Sequence, residues 1–360
     1  MSGAPGFDLY NAEPGKHRDR RDVLAPNING FLRLPKIEHV PSVPSLSIMN
    51  FTIVGLSTVA MLLQMGCHGS AREQHLLSEL QQKHQQTGLA ISYAELKCCD
   101  ASKGENLNIV PFQREATPLK VAELKDLTVF GGDGKYLVSY SNGFSVTDLK
   151  GKSILLKPSL RPDFYPSSSS TGEWFAFAGK DLDDGFRGLI AVNLDGRTLH
   201  VLPNSEVTSV HPTFNRDGHL LVYSMNGRVS LTDTSSGKTV IITEGTDATI
   251  SPDGKAIVFR SIDDRFHLLD LESKKAKPLF SGKNVVSQAI WSPDSAYIFF
   301  FRNAGGLNLV DSVDLTVYRL QDGGSTVLLR EPKGTATVRL EQYQWVLFPE
   351  SEANALAHLH

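Results

Sequence analysis

The sequence predicts an all-β fold, and a recurring pattern supports that prediction. The pattern occurs five times, and each copy holds a tight turn and two apolar runs, the second ending in Asp or Asn. The copies are spaced 36 to 46 residues apart, with turn residues at Gly134, Gly172, Gly218, Gly254 and Ser295. A repeat of about forty residues built from short strands is typical of a β-propeller blade. We therefore expect a ring of four-stranded antiparallel blades.

One repeat illustrates how the residues favour four strands. Asp247–Ser251 is short and partly apolar, as an innermost strand would be, and Pro252-Asp253-Gly254 has the residue types of a tight turn. Ala256–Phe259 is apolar and rich in β-branched residues, which suits a strand buried on both faces. Phe266–Leu269 is predicted as the third strand, and Lys274–Phe280 as a polar outer strand.

These repeats resemble the WD-like repeats of TolB-type propellers, in which an S-P-D-G turn precedes two apolar strands. The match is fullest at Ser251–Asp270 and Ser292–Asp311, is looser in the other copies, and covers about residues 126–330. The resemblance implies a propeller domain. TolB also carries an α/β domain ahead of its propeller, which residues 68–88 are too few to form, so the partners of TolB are not transferred to this chain.

Five repeats need further strands to close a ring, because an open propeller would leave two exposed edges. Strand-like segments occur at both ends of the repeat region, at 89–95, 107–112, 326–329, 336–340 and 343–348. A closing blade that mixes N- and C-terminal strands gives six blades. Seven blades is the alternative, if residues 89–125 form a blade alone.

The chain before the propeller is predicted to contain three segments. Residues 1–45 hold six of the 18 prolines and a cluster of charges, so we expect a disordered extension. Residues 46–66 contain no charged residue and fit either a membrane-spanning helix or a secretory signal. Residues 68–88 are predicted as a short helix, because Ser70 and Glu73 form a capping box and Gly88 ends the pattern. We expect this helix to be a spacer, and a plug against the propeller is the alternative. The propeller is expected over 89–349, with a flexible tail over 350–360.

Gly66-Cys67 partly matches the lipobox at which bacterial lipoprotein signals end, which makes Cys67 a candidate lipid anchor. An uncleaved anchor helix and plain secretion are the alternatives. Basic residues precede the apolar segment, so the propeller is predicted on the exported, periplasmic side of the cell envelope, attached to the membrane through residues 46–67. Translation from Met49 would remove those basic residues, and the sequence leaves the start open.

The sequence contains no familiar catalytic motif. It has no G-x-S-x-G elbow, P-loop, dinucleotide fingerprint or zinc-binding Cys/His spacing. A strained disulfide at Cys98-Cys99 and a calcium loop at Asp181–Gly185 are the weaker interpretations of these residues. No cofactor and no metal are therefore expected, and the net charge of −3 gives no reason to expect nucleic acid.

The sequence favours a non-enzymatic envelope protein that uses its propeller to bind another protein or a peptide. An envelope enzyme with its site in the central funnel, such as a lyase or a glycan-cleaving enzyme, is the alternative, and a structural subunit of an envelope complex is a third hypothesis. The ligand is expected at the end that carries the insertion near 181–187. The candidate binding residues there are Arg161, Asp163, Asp181, Asp183, Asp184, Arg187, Asp263, Asp264 and Arg265.

Overall fold

Six antiparallel sheets follow one another along the chain and form the six blades of a β-propeller. The computed structural model describes residues 70–96, 105–113, 119–124, 128–139, 144–163, 166–203, 210–303, 312–332 and 343–347. The predicted signal segment with Cys67, the Cys98-Cys99 pair and both predicted flexible ends lie outside these residues. Within them, no helix is long and apolar enough to cross a bilayer.

The strands are numbered along the chain, and within each blade they are given from the innermost to the outermost position. Blade 1 holds β25 (Gln344–Leu347), β1 (Leu89–Leu96), β2 (Glu105–Val110) and β3 (Leu119–Leu124). Blade 2 holds β4 (Thr128–Gly131), β5 (Tyr136–Ser139), β6 (Phe144–Asp148) and β7 (Ser153–Lys157). In blade 3 the innermost position is divided between β8 (Leu160–Pro162) and β9 (Ser167–Ser168), followed by β10 (Trp174–Asp181), β11 (Arg187–Asn193) and β12 (Thr198–Pro203).

The last three blades are regular. Blade 4 holds β13 (Thr213–Phe214), β14 (Leu220–Met225), β15 (Arg228–Asp233) and β16 (Thr239–Glu244). Blade 5 holds β17 (Thr246–Ile250), β18 (Ala256–Arg260), β19 (Arg265–Asp270) and β20 (Ala276–Ser281). Blade 6 holds β21 (Ile290–Trp291), β22 (Tyr297–Asn303), β23 (Ser312–Arg319) and β24 (Ser325–Pro332).

The ring closes in blade 1, where the C-terminal strand β25 pairs with β1. Leu89 lies opposite Leu347, and Ile91 lies opposite Trp345. This arrangement confirms the predicted six blades and the predicted mixing of N- and C-terminal strands in one blade. The seven-bladed alternative was wrong, because residues 89–124 supply three strands of a blade and take their innermost strand from the other end of the chain.

The meander within each blade gives the propeller two different ends. The turns from the first to the second strand, such as 252–255, lie at one end, which we call the turn end. The second-to-third-strand turns, such as 261–264, and the connections between blades, such as 158–159, lie at the opposite end, the loop end. At the turn end neighbouring blades are linked through the backbone: Thr171 N donates to Arg216 O at 3.0 Å, and Arg216 N donates to Pro252 O at 2.7 Å.

Apolar side chains fill the space between neighbouring blades. Each cluster of buried residues draws on two adjacent blades, and the cluster between blades 3 and 4 includes Trp174, Ala191, Leu221 and Tyr223. Aromatic side chains of the strands are buried in this way, including Phe175 and the Phe299–Phe301 run. The core is therefore circular and leaves the two ends for contact with other molecules.

One helix, α1 (Ala71–Thr87), lies against blades 1 and 6, where the ring closes. It begins as predicted, since the Ser70 hydroxyl accepts from Glu73 N at 3.2 Å, and Gly88 ends it in the left-handed conformation with φ of 72°. Leu76 and Leu80 are fully buried in the cluster between these blades. The helix thus contributes to the core of the closing blade.

Candidate functional site

The insertion at the loop end is a closed hairpin turn in blade 3. Asp181 N donates to Phe186 O at 2.9 Å, and Gly185 N donates to Asp181 O at 3.0 Å. The Asp184 carboxylate caps the return strand by accepting from Phe186 N at 2.9 Å. Gly185 takes a φ of 76°, the left-handed region that favours glycine. The turn is therefore held by its own backbone in one defined conformation.

Asp181 anchors this turn to the preceding blade. Its side chain is 1% exposed and accepts from Lys157 Nζ at 2.6 Å and from the Ser159 hydroxyl at 2.8 Å. Burial raises the pKa of Asp181, but the hydrogen bonds from Lys157 and Ser159 outweigh it and lower the pKa to about 2. The hydrogen bond from Lys157 to Asp181 in turn raises the pKa of the lysine. Both groups stay charged at neutral pH, and the ion pair fixes the base of the loop.

The imidazole of His200, on the outer strand β12, completes the cluster. Its Nε2 lies 3.4 Å from Asp181 Oδ2, and its Nδ1 lies 3.5 Å from Asp184 Oδ2. The ring is stacked on Phe186, with centroids 3.9 Å apart and planes 4° from parallel. His200 therefore bridges two carboxylates while Phe186 covers its face.

Asp181, Asp184 and His200 also have ligand atoms within 4.8 Å of one another, which raises the question of a metal ion. Two contacts oppose that interpretation. The ammonium of Lys157 occupies the position beside Asp181 Oδ2 that a cation would take. The two nitrogens of His200 face different carboxylates, whereas an ion takes one nitrogen per imidazole. The chemistry of the cluster is that of an internal ion-pair network.

The predicted residues of the connection between blades 2 and 3 reinforce the same loop. Arg187 NH2 donates to Asp163 Oδ2 at 2.9 Å. The Arg161 guanidinium donates to the carbonyls of Pro158 and Leu160, and the Arg161 backbone lies opposite Lys180 in the sheet. Arg187 and Asp163 neutralise one another and Arg161 binds backbone carbonyls, so these contacts position the loop.

The other three predicted residues form a second turn at the loop end, in blade 5. Asp264 takes a φ of 59° and accepts from Arg260 Nε at 2.6 Å. Asp263 accepts from the Ser261 hydroxyl, which lowers the pKa of its carboxyl, and lies 3.7 Å from the Arg265 guanidinium. Blade 4 separates this turn from the insertion in blade 3, so the structure divides the nine predicted residues into two groups.

The two turns share a feature that the sequence interpretation missed. Leu182 is 57% exposed at the tip of the blade 3 turn, and Ile262 is 99% exposed at the tip of the blade 5 turn. Each is followed by two aspartates, so both turns present an aliphatic residue and then two acids. The repetition was readable in the sequence as L-D-D and I-D-D. The sequence interpretation also missed the side chains that support the blade 3 turn, because no local motif marks them. They are Lys157, Ser159, Phe186 and His200.

The turn end of the axis is occupied by side chains from several blades. Arg216 of blade 4 donates from NH2 to Pro293 O of blade 6 at 2.6 Å. Asp133 of blade 2 is hydrogen-bonded to Ser170 of blade 3 and lies within electrostatic reach of Arg216. Burial raises the pKa of Asp133 to about 6 although Ser170, Arg216 and Lys135 all act in the opposite direction. The turn end is thus narrowed by a polar group at the axis, whereas the loop end carries projecting turns.

The comparisons with known proteins support the fold. No protein-family profile matches the sequence, and no curated protein matches it significantly. The structure is similar to that of TolB from Acinetobacter baumannii, with a TM-score of 0.53 and 18% identity over 71% of this chain. The match spans 66% of the TolB chain. At this identity the similarity shows a TolB-like β-propeller fold.

Two further structures are similar at lower TM-scores. A protein assigned as TolB from Agrobacterium tumefaciens gives a TM-score of 0.45 at 14% identity, over 72% of this chain and 96% of that chain. An oligogalacturonate lyase from Vibrio parahaemolyticus gives 0.46 at 12% identity, over 67% of this chain and 79% of that chain. A fold does not by itself select a function.

Proposed function

We propose that this chain is a non-enzymatic protein of the bacterial cell envelope that binds another protein or a peptide at the loop end of its propeller. The observation that carries the proposal is the pair of projecting aliphatic tips, Leu182 and Ile262, each beside two exposed aspartates. An aliphatic side chain that is fully exposed at the tip of an ordered turn gains most when a partner covers it.

The same observation describes the partner. Two apolar tips separated by one blade suit a segment that offers apolar side chains at two positions. At the blade 3 turn three aspartates stand against one lysine, so this tip favours a partner with basic residues and increases its rate of association. At the blade 5 turn the aspartates are paired with Arg260 and Arg265, so that tip contributes its aliphatic side chain. The internal ion pairs of Asp181 and Arg187 keep the blade 3 turn rigid, which reduces the entropy lost on binding. We therefore favour a partially basic, amphipathic partner segment.

The binding proposal is tested by pull-down from crosslinked membranes with point variants of the full chain. Leu182→Ser and Ile262→Ser remove the apolar tips and leave Asp181 and its ion pair intact. Leu155→Ser is the matched control, because Leu155 is 54% exposed but lies on the outer strand β7. We expect both tip variants to lose the same partners and the control to retain them. Unchanged partners in a folded double tip variant would contradict the proposal.

The envelope location rests on the uncharged residues 46–66 and on Cys67. Fractionation is expected to find the chain with the membranes, and labelled fatty acid is expected on wild type and on Cys98→Ser but not on Cys67→Ser. Labelling that survives Cys67→Ser would remove the lipid anchor and leave an anchor helix. A fully cytosolic chain would contradict the location altogether, whatever the result of the pull-down.

One feature favours the second candidate, an enzyme that acts in the central funnel. Asp133 is a carboxyl near the axis whose pKa, at about 6, lies in the range useful for proton transfer. A lyase or glycan-cleaving activity would be sought with envelope polysaccharides as substrates, comparing wild type with Asp133→Asn. Activity that disappears in this variant would favour the enzyme over the binding protein.

A further inference from the structure

The outer strand of blade 4 presents an exposed apolar edge. β16 is the last strand of its sheet in the part of the chain that the structure describes, and Val240 and Ile241 are 41% and 59% exposed. Asp233 N donates to Lys238 O at 3.0 Å, which directs the backbone of Lys238 toward β15. By the alternation of an antiparallel ladder, the N–H and C=O groups of Thr239 and Ile241 are directed outward.

Charges or prolines stand inside β3, β20 and β24, whereas β16 has neither from Thr239 to Thr243, and β7 and β12 carry theirs only at strand ends. Prolines and charges are the usual means by which exposed edges avoid pairing. They occur at Lys120 and Glu123 in β3, Pro203 in β12, Lys277 and Pro278 in β20, and Arg330 and Pro332 in β24. The outer strand β7 is uncharged inside but has Lys152 and Lys157 at its two ends.

The ends of β16 indicate what it pairs with. Lys238 directly precedes the residues T-V-I-I-T of β16, and Glu244 ends the strand. The edge is therefore basic at one end and acidic at the other. An antiparallel copy of the same strand sets the basic end of each against the acidic end of the other, and its apolar centre meets an identical centre. An antiparallel copy of β7 would instead bring lysines together.

We propose that β16 is a homodimer interface, in which two copies of this chain pair antiparallel through their blade 4 edges. A two-fold axis at Val240 lets Thr239 of each copy exchange hydrogen bonds with Ile241 of the other. In this register Lys238 lies opposite Ile242 of the other copy, and Glu244 of that copy is its diagonal neighbour, within reach of the long lysine side chain. The register shift between Val229 and Ser230 places a bulge after Ile241 and limits the ladder to this short stretch. The dimer is therefore reversible and depends on concentration.

The test is the oligomeric state of the full chain in mild detergent, measured by sedimentation velocity over a range of protein concentrations. Ile241→Lys puts a charge at the centre of the edge and is expected to keep the chain monomeric where wild type is dimeric. Leu155→Lys, an equally exposed position on β7, is the control and is expected to dimerise like wild type. All samples retain residues 46–66, so association through that segment contributes equally.

Charge reversal tests the antiparallel orientation. Lys238→Glu and Glu244→Lys each place like charges together at both ends of the two-fold pair and are expected to weaken the dimer about tenfold. The double reversal restores opposite charges and is expected to restore dimerisation. Circular dichroism checks the fold, because Glu244 also lies opposite Arg228 in the sheet. Wild type that stays monomeric at all concentrations, or a dimer that survives Ile241→Lys, would overturn the proposal.

Discussion

Gly218 of blade 4 lies directly against the indole of Trp174 in blade 3. A Cβ atom at Gly218 would stand 2.4 Å from Cδ1 of the indole, closer than any side chain can approach. Gly172 of blade 3 has the same relationship with Tyr136 of blade 2, where the distance is also 2.4 Å. The glycine of a turn therefore does two things: it supplies the positive φ, and it admits an aromatic ring from the neighbouring blade.

This contact predicts that Gly218→Ala destabilises the propeller by about 2–5 kcal/mol, from left-handed strain and from overpacking against Trp174. Gly227→Ala is the matched control, since Gly227 has a similar φ of 72° but nothing within 4 Å of its Cβ position. It should cost about 1 kcal/mol. Chemical denaturation measures both, and equal losses would mean that the aromatic contact contributes nothing.

The ion pair between Lys157 and Asp181 predicts that two aspartates of the blade 3 turn differ in their contribution to stability. Asp181→Ala removes a buried carboxylate and leaves Lys157 with only the exposed Asp183 as its ion-pair partner, so we expect a loss of about 2–3 kcal/mol and faster hydrogen exchange in residues 182–187. Asp183→Ala, with a side chain that is 64% exposed, should cost less than about 1 kcal/mol. The Asp181 contribution should also fall away as the pH drops from about 4 toward 2, because its folded pKa is the lower one.

Most of the fold could be predicted from the sequence because each blade repeats its own local signals. In blade 5 the predicted innermost strand Asp247–Ser251 is observed as Thr246–Ile250, and the predicted third strand Phe266–Leu269 as Arg265–Asp270. The turn residues and the β-branched runs act over short distances in sequence, so a pattern reports them well. The division of the innermost strand of blade 3 was not predicted, because it depends on how the chain crosses from blade 2.

The candidate site was predictable in part. The insertion at 181–187 departs from the repeat length, so its position followed from the sequence. The contacts that support the insertion could not be predicted from the sequence. Lys157 and His200 reach it from strands of two different blades, and such contacts have no characteristic sequence spacing. The charges of Arg187 and Asp163 were predicted as ligand-binding, yet their mutual ion pair holds the loop in place.

The helix at the closing blade gives a third prediction. Leu80 is fully buried against blades 1 and 6, so Leu80→Ala should destabilise the propeller by about 2–5 kcal/mol. Leu77 is partly buried at the margin of the same cluster and provides the control. Leu77→Ala should lower the free energy of unfolding by clearly less. Thermal unfolding, monitored by circular dichroism, distinguishes the two variants. A Leu80→Ala variant as stable as wild type would mean that the helix is dispensable for closing the ring.

Asp133 gives a prediction about pH. Its pKa is about 6 in the folded chain against 3.8 ordinarily, because burial penalises the carboxylate. A raised carboxyl pKa means that ionisation costs stability, with the cost beginning near pH 4 and complete above pH 6.

Asp133→Asn removes that cost, and asparagine tolerates the φ of 52° at this position. We expect the variant to match wild type near pH 4 and to exceed its free energy of unfolding by about 3 kcal/mol at pH 7.5. The measurement is urea denaturation at several pH values, in which other titrating groups cancel between the two proteins. A variant less stable than wild type at pH 7.5 would mean that the carboxylate is held by favourable contacts with Arg216 and Ser170 that outweigh its burial.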